Sequence, residues 1–205
     1  MTDMGICYIV GAGDFYHPFT PKRDDLVIAA DGGYDTLVRE GIRCDLLIGD
    51  LDSIGEVPSG VELLRHPVKK DETDMHLGYL EGARRGYESF RIYGGTGGRE
   101  DHTIANISLL LYIRKSGGRA TLIGEKNESF VIDCESIEVS GECGKHLSLF
   151  ALFGTARGVY IEGLEYSAEN LTLTPEFPLA VSNRFIGECG KITVKDGTLL
   201  VMREF

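Results

Sequence analysis

The apolar run DLLIGDLDS (Asp45 to Ser53) ends in two acids, Asp50 and Asp52, with only Leu51 between them. Alternate residues of an extended chain point the same way, so the two carboxylates would repel each other unless a cation were shared. Asp74, in the helix-opening stretch KDETD (Lys70 to Asp74), could complete a three-carboxylate site. Hard oxygen donors of this kind suit Mg²⁺, which takes a few carboxylates and fills its octahedron with water and phosphate oxygens. The plainer alternative is that Asp50 and Asp52 cap a turn or a helix while Asp74 faces solvent. A second stretch, GGTGGREDH (Gly94 to His102), places Gly94, Gly95, Gly97 and Gly98 around Thr96, directly before a helical pattern. Glycines let a ligand approach the backbone closely, and a helix start offers free amides to phosphate. Arg99 adds a bidentate donor. Asp101 follows Arg99 at the same helix start. The plainer reading of this loop is a flexible hairpin tip. The phosphate motif GxxxxGK[ST] is absent, and GAGDFY (Gly11 to Tyr16) lacks the third glycine of the dinucleotide fingerprint, so it reads as a tight turn.

The elements that must hold these residues follow from periodicity. ICYIVG, LVIAAD, DLLIGD, VELLRH, FRIYGG and ATLIGE read as strands up to about Gly124, with amphipathic segments at Gly33 to Glu40, Thr73 to Arg85 and His102 to Lys115 among them. In the last, Ile104, Ile107 and Leu111 recur at helical spacing and Gly117-Gly118 supplies the stop. Strands separated by helices imply a parallel sheet covered on both faces, with ligands bound beyond the carboxyl ends of the strands. Asp31-Gly32-Gly33, Asp50 to Ser53, Lys69 to Asp74 and Gly94 to His102 all fall at such ends. After Glu125 the helical signals thin out and short strand-like runs follow one another, with Asp196-Gly197 between KITV and TLLVM as a two-residue hairpin signal. The expected fold class is α/β. An N-terminal parallel-sheet nucleotide-binding domain over 1–124 is followed by a C-terminal all-β sandwich over 125–205.

Composition excludes some functions. The 205 residues are 42% hydrophobic, enough for a packed core, and carry a formal net charge of -11, which argues against general affinity for nucleic acid or anionic membrane. No apolar run approaches the roughly 20 residues that span a bilayer, and the first apolar stretch lacks a basic segment before it, so the expectation is a cytoplasmic protein. Five cysteines without CxxC spacing suit reduced thiols. The pentapeptide GECGK occurs at Gly141 to Lys145 and again at Gly187 to Lys191. Two glycine-rich turns explain it more simply than a metal site built from Cys143, Cys189, His146 and Cys134.

Taken in order, ADGG (Ala30 to Gly33), GDLDS (Gly49 to Ser53), KDETD, GGTGGREDH with Asn106 beyond it, and VSN (Val181 to Asn183) give the chain a resemblance to the thiamin pyrophosphokinase family. The resemblance implies a Mg²⁺-dependent transfer of the pyrophosphoryl group of ATP to thiamin, in a homodimer whose nucleotide crevice faces the partner's sandwich. By position it puts Asp50, Asp52 and Asp74 on Mg²⁺, and in the transfer it implies, Asp101 or one of these carboxylates could accept the hydroxyl proton. Around ATP it puts Asp31 and Gly32, then Lys70, Asp71 and Thr73, then the glycine loop with Arg99, His102 and Asn106. Ser182 and Asn183 fall where the family binds thiamin. Many eukaryotic members place a tryptophan near the thiamin ring; this chain has none, so either Tyr or Phe substitutes there or the ring is held differently. The rival functions are a metal-dependent phosphohydrolase and a non-catalytic nucleotide-binding protein.

Overall fold

Every residue of β1 (Cys7–Val10), β2 (Leu26–Ala30) and β3 (Leu46–Gly49) is buried, as happens when a parallel sheet is covered on both sides. The structure, a computed structural model, describes residues 5–49, 60–65 and 72–205. Asp50, Asp52, Lys70 and Asp71 lie outside them. The architecture is mixed α/β, and the chain divides into two compact units, one ending at Glu125 and one running from Lys126 to Phe205.

In the first unit, β4 (Glu62–Arg65), β5 (Ser89–Tyr93) and β6 (Arg119–Ile123) complete a parallel sheet in the order β6-β5-β1-β2-β3-β4. Alternating side chains send Tyr8, Val10, Val27 and Ala29 to a cluster with Leu37 of α1 (Gly33–Arg39). On the other face, Ile9 and Ile28 pack against Gly78 of α2 (Asp74–Arg84). α2 meets α3 (Glu100–Lys115) through His76 and Tyr112, whose rings lie 4.5 Å apart edge to face. α3 buries Asn106, Leu109, Leu110 and Ile113, while Ile104 is 66% exposed. The stripe Ile104, Ile107, Leu111 is therefore a neighbouring stripe and not the buried face. Periodicity sees two apolar stripes on one helix and cannot tell which one meets the sheet.

The second unit stacks two antiparallel sheets. One has the order β12-β9-β14-β7, made of β7 (Asn127–Asp133), β9 (His146–Phe150), β12 (Asn183–Arg184) and β14 (Thr198–Glu204); the other has the order β11-β10-β13-β8, made of β8 (Ser136–Ser140), β10 (Ala156–Glu162), β11 (Ala168–Leu173) and β13 (Cys189–Asp196). Leu147, Leu149, Leu199 and Val201 from the first and Val159, Ile161, Ile192 and Val194 from the second share one core. The expected hairpin at Asp196-Gly197 is not formed. β13 pairs with β10 and β8, and β14 pairs with β7 and β9, so the turn carries the chain between sheets. Gly197 does adopt a left-handed φ of 97°, which is the local feature the dipeptide encodes; both edges of each strand are simply taken by other partners. The two GECGK copies touch where Gly141 N–H donates to Glu188 C=O. Both nitrogens of His146 are engaged, Nδ1 with Glu204 at 2.7 Å and Nε2 by Arg184 Nε at 3.3 Å.

Candidate active site

The strand order reverses at β1: β2, β3 and β4 extend to one side of it, β5 and β6 to the other. Loops leaving the carboxyl ends of β1 and β5 must therefore part at a crevice, the usual ligand position in such a sheet. Here the crevice is a cleft of about 360 Å³, lined by Gly11 to Gly13 after β1, Asp31 after β2, the glycine loop after β5, and the first residues of α2 and α3.

Hydrogen bonds tie the two glycine loops together beyond the last strand residues. Gly11 N–H donates to Tyr93 C=O (2.8 Å), Gly13 N–H to Gly94 C=O (2.9 Å) and Asp14 N–H to Thr96 C=O (3.0 Å). The approach at Gly13 leaves no room for a side chain, since a Cβ there would sit 2.6 Å from two carbonyl oxygens. GAG after the first strand is thus part of the cleft wall, a larger role than the tight turn its sequence suggested. From below, Asn106 on α3 is 5% exposed and its Nδ2 donates to Gly95 C=O at 2.9 Å, fixing the loop to the helix behind it.

Two helix starts face this cleft. Thr73 caps α2, its hydroxyl accepting His76 N–H at 3.2 Å, and Asp74 follows as the first helical residue. Arg99 occupies the N-cap position of α3 with extended backbone angles and no side-chain cap. Free amides and positive dipole ends favour phosphate, while the carboxylates of Asp31 and Asp74 supply hard oxygen donors beside them. Oxygen donors of this type would suit Mg²⁺, although among the described residues no group of three or more His, Cys, Asp or Glu side chains is gathered that could hold a metal ion. Asp31 holds a left-handed φ of 50°, tolerated by Asp more readily than by most residues.

Of the residues singled out in sequence, Asp31, Thr73, Asp74, Gly94, Gly95, Thr96, Gly98, Arg99, His102 and Asn106 line the one cleft. Gly32 is instead the N-cap of α1, and Gly97 turns the loop beside the Asp14 carboxylate. Asp101 is engaged by Arg99, with Nε to Oδ1 at 3.1 Å and Nη2 to Oδ2 at 2.6 Å. The guanidinium holds the exposed Asp101 carboxyl below the usual carboxylate range. Such a carboxylate is a weaker base, and it would compete with a phosphate for the Arg99 guanidinium. Met75, Thr103 and Ala105 also line the cleft and had no signal in the sequence beyond lying next to the motifs.

Ser182 and Asn183 lie in the second unit. Ser182 is exposed, with φ 60°. Asn183 is 4% exposed, and its amide is spent on backbone: Oδ1 accepts Tyr166 N–H and Arg184 N–H, each at 2.9 Å, and Nδ2 donates to Tyr166 C=O at 2.7 Å. The pair thus offers one exposed hydroxyl and one buried bracket.

Comparison with known proteins matches these two halves to two family models. The model described as thiamin pyrophosphokinase, catalytic domain, matches residues 20–122, and that of the vitamin B1 binding domain matches residues 130–199. Thiamine pyrophosphokinase of Bacillus subtilis (strain 168) is 28% identical over 185 residues, covering 87% of this chain and 86% of that protein. The crystal structure of thiamine pyrophosphokinase from Bacillus subtilis superposes with a TM-score of 0.86 at 25% identity, over 97% of this chain and 98% of that one. A thiamin pyrophosphokinase family protein from Enterococcus faecalis shares the fold, with a TM-score of 0.86 at 24% identity over 98% and 99% of the two chains. With one model spanning half of its residues and a second covering most of the remainder, the chain belongs to the thiamin pyrophosphokinase family.

Proposed function

We propose that this protein transfers the pyrophosphoryl group of ATP to the hydroxyl of thiamin, giving thiamin diphosphate and AMP. The observation that carries this reading is the convergence of two tied glycine loops and two helix starts on one cleft in the unit matched by the catalytic-domain model. ATP phosphates would lie along the Gly11–Gly13 and Gly94–Gly98 backbones, with Arg99 released from Asp101 to them. Thr73, Lys70 and Asp71 would flank them. The Mg²⁺ ion, held by Asp50, Asp52 and Asp74, would supply charge neutralisation at the phosphate oxygens.

In the transfer, the thiamin hydroxyl oxygen forms a bond to the β-phosphorus while the bond from that phosphorus to the oxygen of AMP breaks. The hydroxyl proton passes to a carboxylate. Asp101 and the carboxylates of the metal group are the candidate acceptors. Fixing attacker and leaving group in line is the task of the backbone cradle. Ser182 would contact thiamin, whose positive thiazolium suits a chain of net charge -11. Two copies would form a homodimer, the cleft of one completed by the β-unit of the other; sedimentation at twice the mass of a single chain checks the stoichiometry. All five cysteines are free, in keeping with a reducing cytoplasm, and no helix among the described residues is long and apolar enough to cross a membrane.

Incubation with ATP and Mg²⁺, with and without thiamin, tests the proposal. AMP and thiamin diphosphate forming only when thiamin is present support it. Phosphate release independent of thiamin would indicate a phosphohydrolase, and no turnover under either condition a nucleotide-binding protein.

A further inference from the structure

β12 pairs with β9 in antiparallel register, Asn183 opposite Leu147 and Arg184 opposite His146. Continued one rung further, that register would have Leu149 N–H donate to Val181 C=O. It donates instead to Ala180 C=O, at 2.8 Å. The stretch before β12 therefore holds one residue more than β9 opposite it, which is a β-bulge, a device that re-aims a side chain next to a site. Ser182 takes up the irregularity with φ 60°, a conformation that a residue with a Cβ keeps only where its surroundings fix it.

What fixes it is a side chain. Ser182 N–H donates to Ser148 Oγ at 3.0 Å. On β9, Leu147 and Leu149 enter the core of the second unit while Ser148 lies on the opposite face, so its hydroxyl is not needed for the core. On the other side of Ser182, the buried amide of Asn183 holds Tyr166 by both backbone groups.

We propose that Ser148 is a positioning residue for the substrate hydroxyl: its Oγ holds Ser182 in the left-handed conformation and so sets where the Ser182 side chain meets thiamin. This rests on the reading of Ser182 as a thiamin contact. Loss of one neutral hydrogen bond corresponds to about a 3- to 10-fold effect.

The test is steady-state kinetics with both substrates varied. Ser148→Ala is expected to raise the thiamin KM, or lower kcat, by that factor with the ATP KM within about twofold, and Ser148→Thr, which keeps the oxygen, to restore it. Glycine holds φ 60° without help, so Ser148→Ala added to Ser182→Gly should change the thiamin KM less than about twofold. If Ser182→Ala alters the thiamin KM or kcat and Ser148→Ala does not, the positioning role fails and the site reading stands; if Ser182→Ala has no effect, both fail. Should Ser148→Ala not fold, amide exchange decides: the exposed Ser182 N–H is expected to exchange slowly in the unaltered protein, and exchange at the free-peptide rate would overturn the proposal.

Discussion

Substituting Gly13 by alanine should separate the two loops that form the cleft wall. A Cβ at Gly13 would stand 2.6 Å from Gly94 O and 2.6 Å from Thr96 O, where ordinary contact begins at 3.4 Å. Both neighbours are backbone atoms, so no rotamer change relieves the clash, and the loops must part by about 0.8 Å. That displacement breaks the Gly13 to Gly94 bond of 2.9 Å and stretches the Asp14 to Thr96 bond of 3.0 Å. Overpacking of this kind costs about 1–3 kcal/mol, which at about 2–4 °C per kcal/mol lowers Tm by about 2–12 °C. Misplacing a phosphate cradle by nearly 1 Å should reduce kcat/KM for ATP by about 10- to 100-fold. Gly98→Ala is the matched control: it lines the same cleft, yet its Cβ would meet nothing closer than Gly13 Cα at 3.8 Å. Its Tm should stay at the unaltered value while its ATP affinity falls, because the new methyl takes up cleft space. Calorimetry and ATP titration read both outcomes. An unchanged Tm and ATP affinity in Gly13→Ala would refute the account of the tied loops, and unchanged ATP affinity in Gly98→Ala would show that phosphate does not lie over that loop.

Asp50→Asn and Asp52→Asn should each cut turnover heavily with Tm preserved, as should Asp74→Asn at the start of α2; near-normal rates in all three at saturating Mg²⁺ would remove the three-carboxylate metal site. Asp101→Asn frees Arg99 from its bidentate partner, so the ATP KM should fall by at most about fivefold with kcat little changed, whereas a hundredfold loss of kcat would make Asp101 the proton acceptor. Glu81, bonded to Arg84 and then Arg85, has its pKa lowered from 4.5 to about 2. A depressed carboxylate stabilises above its unfolded pKa and loses that contribution as pH falls toward 2. Glu81→Gln should therefore lower stability at pH 7 by up to about 3 kcal/mol, and the gap to the unaltered protein should narrow as pH falls from 4.5 through about 2; a gap as wide at pH 2 as at pH 7 would contradict the assignment.

The strands and helices of the first unit were legible because burial on both faces writes itself as unbroken runs such as CYIV and LVIAA. What the runs do not carry is strand order. Only the reversal at β1 reveals that Gly11 to Gly13 and Gly94 to Gly98 are neighbours, so the GAG loop read as a turn although it lines the cleft. The same blindness to partners misassigned Asp196-Gly197: the positive φ of Gly197 is local and was legible, but which strands compete for β13 and β14 is not. On α3 the sequence offers two apolar stripes, and the choice of Leu109, Leu110 and Ile113 as the buried one is made by the sheet. Around Ser182 and Asn183 the motif marks the position, yet the hydrogen bonds that shape it join Ser182 to Ser148, 34 residues away, and Asn183 to Tyr166, 17 residues away, both outside any motif.

The fate of the γ-phosphorus of ATP tests the proposed reaction most directly. With label at that position, Mg²⁺ and thiamin, the cleft and the in-line transfer described here require the label to appear in thiamin diphosphate with AMP as the nucleotide product in equal amount. Label recovered in thiamin monophosphate with ADP formed, or in inorganic phosphate whether or not thiamin is present, would contradict it.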